Sequence, residues 1–498
     1  MIIMMQKRFF ALLCAVLMCG GTASSLVSCG GNSRGDTVTS GNGTNAPAAE
    51  TEKETETSYT ADLPAGLNYD GAAFNIVVYD DSNATWYDVD FSADEETGDL
   101  LNDAAFRRTA AVEQLLNVDI VACPSSNYGY DAVKKSVIAG EGAYDAGFVN
   151  TRNATTLAES GYLLDLNDLG TLDLSAPWWD QNAVHDLTVG GKLYMVTGDI
   201  SIMYKKSIGV LLFNKQMLAD YDLDDPYQLV RDKKWTIDRY NEMASTVSTD
   251  VNGDGQFDMN DKYGLLYYCD LIALGLIGGG TKFTTKNADD YPEITFYNEH
   301  TQSIFDKYTT VMYNPELSLS WSRLGVSNDD IIAMFRNNQG LFNFNEFHSI
   351  ENMRKMDTAF GILPIPLYDE TQTRYYHTIN PHVAAMLLVP GDCPDPERAG
   401  YVLDALGAES KNTLTPAYYE QYLKSKGSRD NESEEMLDII FSTLTYDIGY
   451  LYDFGGLGGM TLTMVNNYQS DLASQYAALA PKAQSAIEKT ISAYKENG

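Results

Sequence analysis

A run of oxygen-bearing side chains between residues 250 and 261 has the spacing of a calcium-binding loop. Gly255 stands at the sixth position, where such a loop turns sharply, and the seventh position offers a backbone carbonyl. The last position is Asp261, where the usual residue is a bidentate Glu. The shorter side chain of Asp extends less far toward the ion and weakens calcium binding, as in dockerin-like loops. The candidate ligands are Asp250, Asn252, Asp254, Gln256, Asp258 and Asp261.

A helical pattern precedes this loop and a strand pattern follows it, so the sequence predicts half of an EF-hand. The expected role of Ca²⁺ is structural, because carboxylates that converge without a cation repel one another. The alternative is a solvated acidic turn.

A second group of side chains could bind a small polar ligand. In open α/β sheets ligands bind beyond the carboxyl ends of the strands. Aromatic rings stack on the C–H faces of sugars while carboxylates and amides bind hydroxyl groups, so this mixture suits a neutral polyhydroxyl ligand. The candidates are Trp86, Asp88, Asn150, Trp178, Trp179, Asp199, Trp321, Glu346, Tyr375 and Tyr376. Core packing is the alternative for each aromatic, and solvated surface is the alternative for the acids, since the chain has 69 Asp and Glu.

Several motifs of common enzymes are absent from the sequence: GxxxxGK[ST], HExxH and CxxC do not occur, and the 5 His show no triad or metal-ligand spacing. No catalytic residue is therefore assigned. A glycosidase needs only two carboxylates, so a surface-anchored carbohydrate-active enzyme stays open as an alternative.

Short apolar runs alternate with helical patterns and predict the elements that position these side chains. Strands separated by helices favour an α/β fold with helices on both faces of a sheet. Asp395 and Pro396 are typical of a helix start. Strands are predicted at 74–79, 118–122, 144–149, 192–196, 210–214, 263–268, 340–344 and 383–389, and helices at 99–116, 130–139, 155–161, 237–247 and 329–337.

Length and charge limit the function classes. The chain has 498 residues, of which 44% are hydrophobic and 21% charged, so it is globular and too long for a single core. Its net charge of −35 repels phosphate backbones, which argues against nucleic acid as a partner.

The N-terminus predicts export and a lipid anchor. Lys7 and Arg8 precede an apolar run at 9–18 that is too short to span a bilayer, as in a secretory signal peptide. The sequence LVSCG at 26–30 resembles the lipobox of bacterial lipoproteins, which implies that Cys29 is diacylated after cleavage. The polar stretch that follows is expected to be a flexible tether. We therefore predict a protein held by lipid on the outer face of the bacterial cytoplasmic membrane; an ordinary signal peptide is the alternative.

Three cysteines remain beyond Cys29, namely Cys123, Cys269 and Cys393. An odd number in so long a chain does not indicate a disulfide scaffold, and free thiols are favoured over one bridge.

The order of several segments resembles the extracellular solute-binding proteins of ATP-driven (ABC) importers, in the maltodextrin-type group. The segments are spread over the chain, and their order and their attachment to a lipoprotein signal carry the resemblance. They are GYLLDLNDL (161–169), GGKLYMV (190–196), LLFNKQML (211–218), WTIDRYNEMA (235–244), KYGL (262–265), FGILPIPLYDETQTRYY (360–376) and PAYYEQYLKSKGSRDNESEEMLDII (416–440).

This resemblance implies an α/β, two-lobed type 2 periplasmic-binding-protein-like fold, with hinge segments crossing between lobes that close on a ligand. It implies a monomer that captures a sugar or oligosaccharide and delivers it to ABC permease subunits. A stand-alone glycan-binding surface protein is a further alternative. The expected divisions are a signal peptide at 1–28, a tether at 29–61, an N-terminal lobe at 62–205 plus 363–410, and a C-terminal lobe at 206–362 plus 411–498.

Overall fold

The computed structural model describes residues 58–79, 91, 93–268, 270–353, 355–423 and 431–496. Its strands are β1 Ala72–Tyr79, β2 Val118–Ser125, β3 Ala146–Asn150, β4 Gly209–Asn214, β5 Ser248–Thr249, β6 Lys262–Tyr267, β7 Thr284–Lys286, β8 Pro292–Ile294, β9 Ser318–Ser320, β10 Gly340–Glu346, β11 Phe360–Leu363 and β12 Ala385–Leu388.

The α-helices of the same residues alternate with these strands and fill the C-terminal part. They are α1 Leu100–Leu116, α2 Tyr130–Ala139, α3 Thr151–Glu159, α4 Gln181–Leu187, α5 Met203–Lys206, α6 Lys215–Asp220, α7 Pro226–Arg231, α8 Ile237–Thr246, α9 Leu271–Gly278, α10 Glu299–Met312, α11 Asn328–Arg336, α12 Ile350–Met353, α13 Pro396–Asn412, α14 Leu414–Leu423, α15 Asn431–Ser442, α16 Ile448–Tyr452, α17 Leu457–Asn466 and α18 Leu472–Glu496.

The first sheet has the strand order β12-β3-β1-β2. Strand β1 runs parallel to both β2 and β3, and the late strand β12 returns to pair antiparallel with β3. The parallel strands β1 and β3 are apolar and mostly buried on both faces, as expected where helices cover a sheet on both sides. Their carboxyl ends therefore open onto one edge of the sheet.

The second sheet has the order β11-β4-β10-β6-β5, with β9 also beside β6. Strands β6, β9 and β10 are parallel, whereas β4 is antiparallel to both β10 and β11. Every residue of β4 and β10 is buried. The α/β fold class predicted from the sequence is confirmed.

Chain segments cross between the two sheets side by side. Ile208 pairs with Ile379, and His377 pairs with Leu444. The His377 ring is buried, which lowers its pKa to about 3, and its Nε2 accepts a hydrogen bond from the backbone N–H of Ile365 at 3.0 Å. An unprotonated His377 thus joins neighbouring crossing segments. The lobe limits drawn from the resemblance stay a prediction.

Most sequence-predicted elements are present at or near their predicted bounds. The helix predicted at 130–139 is α2, and Asp395 caps α13 by accepting a hydrogen bond from the backbone N–H of Arg398. One prediction is wrong: residues 192–196 form no strand. They make only single bridges, from Lys192 to Val189 and from Val196 to Leu387, so no continuous ladder forms along one partner strand.

Two further features of the described residues bear on the sequence predictions. No helix among them combines the length and apolarity needed to cross a membrane.

Cys123 and Cys393 are free thiols, and burial raises the pKa of Cys393 to about 12. Cys269 lies outside the described residues.

Candidate functional site

Polar side chains from both sheets meet at the carboxyl ends of their parallel strands. The side chain of Asn150, the last residue of β3, accepts a hydrogen bond from the backbone N–H of Asn153 and so starts α3, which carries Arg152 in its first turn. Asp270 stands just beyond β6, and Glu346 is the last residue of β10. Ligands of α/β sheets bind at such strand ends. We call this group the strand-end cluster.

Glu346 is the buried acid of the strand-end cluster, with 1% of the residue exposed. Its Oε1 accepts a hydrogen bond from Asn380 Nδ2 at 2.7 Å, and its Oε2 lies 3.2 Å from His348 Nδ1. Asn380 lies on a crossing segment, where its backbone N–H donates to the carbonyl of Ser207. The crossing segment thereby orients the carboxylate of Glu346.

Asp270 is the titratable member of the cluster. Its burial, together with the negative charge of Glu346, raises its pKa to about 6. Hydrogen bonds from Tyr268 and Asn380 partly offset these effects. Near neutral pH, Asp270 is therefore an acceptor that can also hold a proton.

Arg152 is the cation of the cluster. Its Nη1 donates to the carbonyl of Leu451 at 3.2 Å and lies 3.8 Å from Asp453 Oδ2, while its Nε–H has no partner among the described residues. A Cβ on Gly458 would lie 3.0 Å from Arg152 Nη2 and 2.7 Å from the carbonyl oxygen of Tyr450. Glycine at this position therefore leaves room for the guanidinium.

An aromatic pair adjoins the cluster. The Trp321 ring, just after β9, lies 5.5 Å from the Tyr268 ring between centroids. The Trp321 Nε1–H is buried and has no hydrogen-bond partner among the described residues. The rings, together with carboxylate, amide and guanidinium groups, provide the stacking and hydrogen-bonding surfaces that a polyhydroxyl solute needs.

The structure brings three of the sequence candidates into this region. Trp321 and Glu346 lie in it directly, and Asn150 supports it as the cap of α3. Trp86 and Asp88 lie outside the described residues.

Trp178 and Trp179, which the sequence offered as candidates for ligand contact, are buried instead. They are 6% and 2% exposed, and both indole N–H groups donate to Asp404 Oδ1, at 3.1 and 3.0 Å. Asp404 lies on α13, far along the chain, so sequence spacing could not reveal this contact. The two rings belong to the core.

The remaining candidates also lie away from the strand-end cluster. Asp199 binds Lys205, Lys411 and Thr415; burial alone would raise its pKa, but the two lysine charges lower it overall. Tyr375 is buried, with its hydroxyl donating to the carbonyl of Val230. Tyr376 lines a different cavity.

Sequence reasoning did not select several members of the cluster: Arg152, Tyr268, Asp270, His348 and Asn380. A signal for two of them was present, since Arg152 and Asp270 follow predicted strands by a few residues. Asn380 and Asp453 follow no strand, and only the tertiary structure brings them to the site.

The loop at 250–261 is held by hydrogen bonds to its own backbone. Asp250 accepts from the N–H groups of Gly253 and Gly255, and the buried Asp261 accepts from those of Val251 and Asp258. Within the described residues, no three His, Cys, Asp or Glu side chains are grouped closely enough to hold a metal ion. Calcium binding by this loop stays a prediction.

We expect a chelator to lower the melting temperature if the loop binds calcium. An ion present at 100 times its dissociation constant would add about 2.7 kcal/mol to the free energy of unfolding. Asp254→Ala should abolish the chelator effect, whereas Asp289→Ala, which changes an exposed acid outside the loop, should retain it. Identical melting of the wild-type protein in calcium and in chelator would show that the loop is only an acidic turn.

Comparison with known proteins gives matches among solved structures. No family model matches the chain. No curated protein matches it either. An ABC substrate-binding protein from Listeria monocytogenes, in complex with cycloalternan, is 16% identical with a TM-score of 0.54, over 85% of this chain and 100% of that one.

Two further solved structures are similar to this chain over a comparable length. UgpB from Mycobacterium tuberculosis, in complex with glycerophosphocholine, is 15% identical with a TM-score of 0.56, over 85% of this chain and 100% of that one. A sugar transporter protein from Rhizobium etli, in an open conformation, is 12% identical with a TM-score of 0.54, over 84% and 99% of the two chains. The resemblance stated from the sequence is confirmed for the fold: the chain has the two-lobed α/β architecture of the solute-binding proteins of ABC importers.

Proposed function

We propose that this chain is the solute-binding component of an ABC importer and captures a sugar or oligosaccharide between its lobes. The observation that carries the proposal is the strand-end cluster. There, Arg152 from the end of the first sheet and Asp270 and Glu346 from the end of the second sheet lie beside the Trp321–Tyr268 pair. A ligand held by groups from both sheets gains contacts when the lobes close.

The solved neighbours support a carbohydrate as the ligand class. The Listeria monocytogenes protein contains cycloalternan, and two further solved neighbours, a cyclo/maltodextrin-binding protein and a solute-binding protein from Thermotoga lettingae, contain maltotetraose and α-D-tagatose. Glycerophosphocholine in UgpB shows that this architecture also accepts another polar solute. The aromatic pair and the acidic acceptors of this chain favour the carbohydrate, because stacking and hydroxyl recognition both use them.

A thermal-shift screen followed by calorimetry tests the proposal. The panel contains linear and cyclic glucans, monosaccharides, glycerophosphocholine and short peptides. A bound carbohydrate at 100 times its dissociation constant should stabilise the fold by about 2.7 kcal/mol. Binding of a peptide or of glycerophosphocholine alone would contradict the carbohydrate assignment, and no binding by any member would contradict the receptor assignment.

A carbohydrate-active enzyme is the second candidate, and one observation favours it. Asp270, with its pKa raised to about 6, lies close enough to Glu346 to feel its charge, and a raised carboxyl pKa suits a general acid. We favour binding without turnover because the solved neighbours are binding proteins. Release of reducing ends from a bound oligosaccharide, abolished in Asp270→Asn, would establish the enzyme instead.

We further propose that the chain is a lipoprotein on the extracellular side of the membrane, acting as a monomer with permease subunits. The lipobox at 26–30 supports this location, and so does the likeness to a solved maltose-binding periplasmic protein from Listeria monocytogenes, which has a TM-score of 0.52. Importer genes beside this gene would favour transport over a stand-alone glycan-binding surface protein.

Replacing Cys29 by alanine should release the protein from the membrane or mislocalise it, because the thioether that carries the lipid can no longer form. Cell fractionation measures the partition, with Cys123→Ala as the control that leaves the lipobox intact. If Cys29→Ala partitions with the membrane as the wild type does, the lipid anchor is refuted.

A further inference from the structure

A cavity of about 440 Å³ lies at the far end of α9 from the strand-end cluster. Its walls come from the end of α9, from β7, from the crossing segments around Tyr376 and Thr445, and from α4. Ile277 stands seven residues beyond Asp270 on α9, which is roughly 10 Å along the helix axis. The cavity is thus separate from the proposed carbohydrate site and has the volume of a small-molecule site.

Three cations line the cavity in a chain whose net charge is −35. Lys286 already has partners: its Nζ donates to the carbonyls of His185 and Thr188 and lies 3.0 Å from Asp290 Oδ1. Lys282 and Arg374 are exposed, and neither side chain has a hydrogen-bond or ion-pair partner among the described residues. Two positive charges are therefore available to an occupant.

The two acids that line the cavity already have partners within the protein. Asp186 Oδ1 lies 2.8 Å from His185 Nδ1, and its Oδ2 accepts the backbone N–H of Tyr446. Asp447 is partly buried and accepts the backbone N–H groups of Phe283 and Gly449. Its burial raises the pKa to about 6, so Asp447 is still mostly ionised near neutral pH, and its charge is taken up by these backbone N–H groups. The unsatisfied charge of the cavity is therefore positive.

The wall beside the free cations is apolar and aromatic. The Arg374 guanidinium lies 4.9 Å from the centroid of the Tyr376 ring, and Ile277 and Ile448 lie on the same lining. A ligand with a compact carbon skeleton can pack on this wall while its charged groups reach Lys282 and Arg374.

We propose that this cavity binds a small organic anion, whose carboxylate or phosphate groups pair with Lys282 and Arg374. Guanidinium groups bind such oxyanions in a bidentate manner and ammonium groups bind them as point charges, so this pair accepts either chemistry. The proposal stands independently of the carbohydrate assignment, because it uses none of the residues of the strand-end cluster.

Calorimetry with the mature full-length protein tests the site. Citrate represents the carboxylate class and glycerol 3-phosphate the phosphate class, while glycerol and sodium chloride at matched ionic strength are the control solutes. At least one anion should bind, and each of Lys282→Gln and Arg374→Gln should weaken its binding by about tenfold. Binding should also weaken as salt is added.

Lys135→Gln on α2 is the matched control, since it removes an exposed lysine elsewhere and should leave anion affinity unchanged. Trp321→Ala should also leave it unchanged, which separates this site from the carbohydrate site. The proposal is overturned if neither anion binds, or if Lys282→Gln and Arg374→Gln, shown by melting to be folded, bind as the wild type does.

Discussion

Trp179→Ala is expected to lower the free energy of unfolding by about 3–5 kcal/mol, because a large ring is removed from a site too well packed to collapse. Trp179 is 2% exposed, and its indole N–H donates to Asp404, which also accepts from Trp178. The site is tight: a Cβ on Gly198 would lie 2.2 Å from the carbonyl oxygen of Trp178. Affinity for a carbohydrate should not change in the protein that remains folded.

Chemical denaturation measures this loss, provided that the free energy of unfolding falls with denaturant concentration at the same slope in wild type and variant. Tyr297→Ala is the control, since Tyr297 is 38% exposed and its truncation should cost far less. If Trp179→Ala melts like the wild type but loses carbohydrate affinity, Trp179 contacts the ligand after all and the assignment to the core is wrong.

Trp321→Ala has the second largest expected effect, and it acts on binding. Removing the ring should weaken carbohydrate affinity by ~1–3 kcal/mol, because the ring forms a stacking surface beside Tyr268 and carries an N–H without a partner in the described structure. Stability should change little, since Trp321 is only partly buried. Calorimetry of the carbohydrate found in the screen measures the change.

Trp321→Phe separates the two contributions, because it keeps a ring for stacking and removes the N–H donor. An affinity between those of the wild type and Trp321→Ala is expected if the ligand uses both. Should Trp321→Ala bind with wild-type affinity, the ligand lies elsewhere in the cleft and the aromatic pair is structural.

The sequence alone determined the class of the fold and much of its element order. The helix at 130–139 and the cap at Asp395 were predicted correctly, because helix periodicity and capping depend on neighbours within a few residues. The position of a ligand site at the ends of strands also follows from local patterns and a general rule of α/β sheets. That reasoning selected Glu346, which the structure places in the strand-end cluster.

Only the tertiary structure decided which side chains are covered and which converge. Trp178 and Trp179 follow a Pro in a stretch without regular periodicity, and their burial depends on Asp404, 225 residues beyond Trp179 in the chain. Likewise, Asn380 and Asp453 reach the cluster from segments that carry no local signal. Burial and the pKa of a group such as Asp270 are set by what packs against it from other elements, and the spacing of residues along one element does not encode that partner.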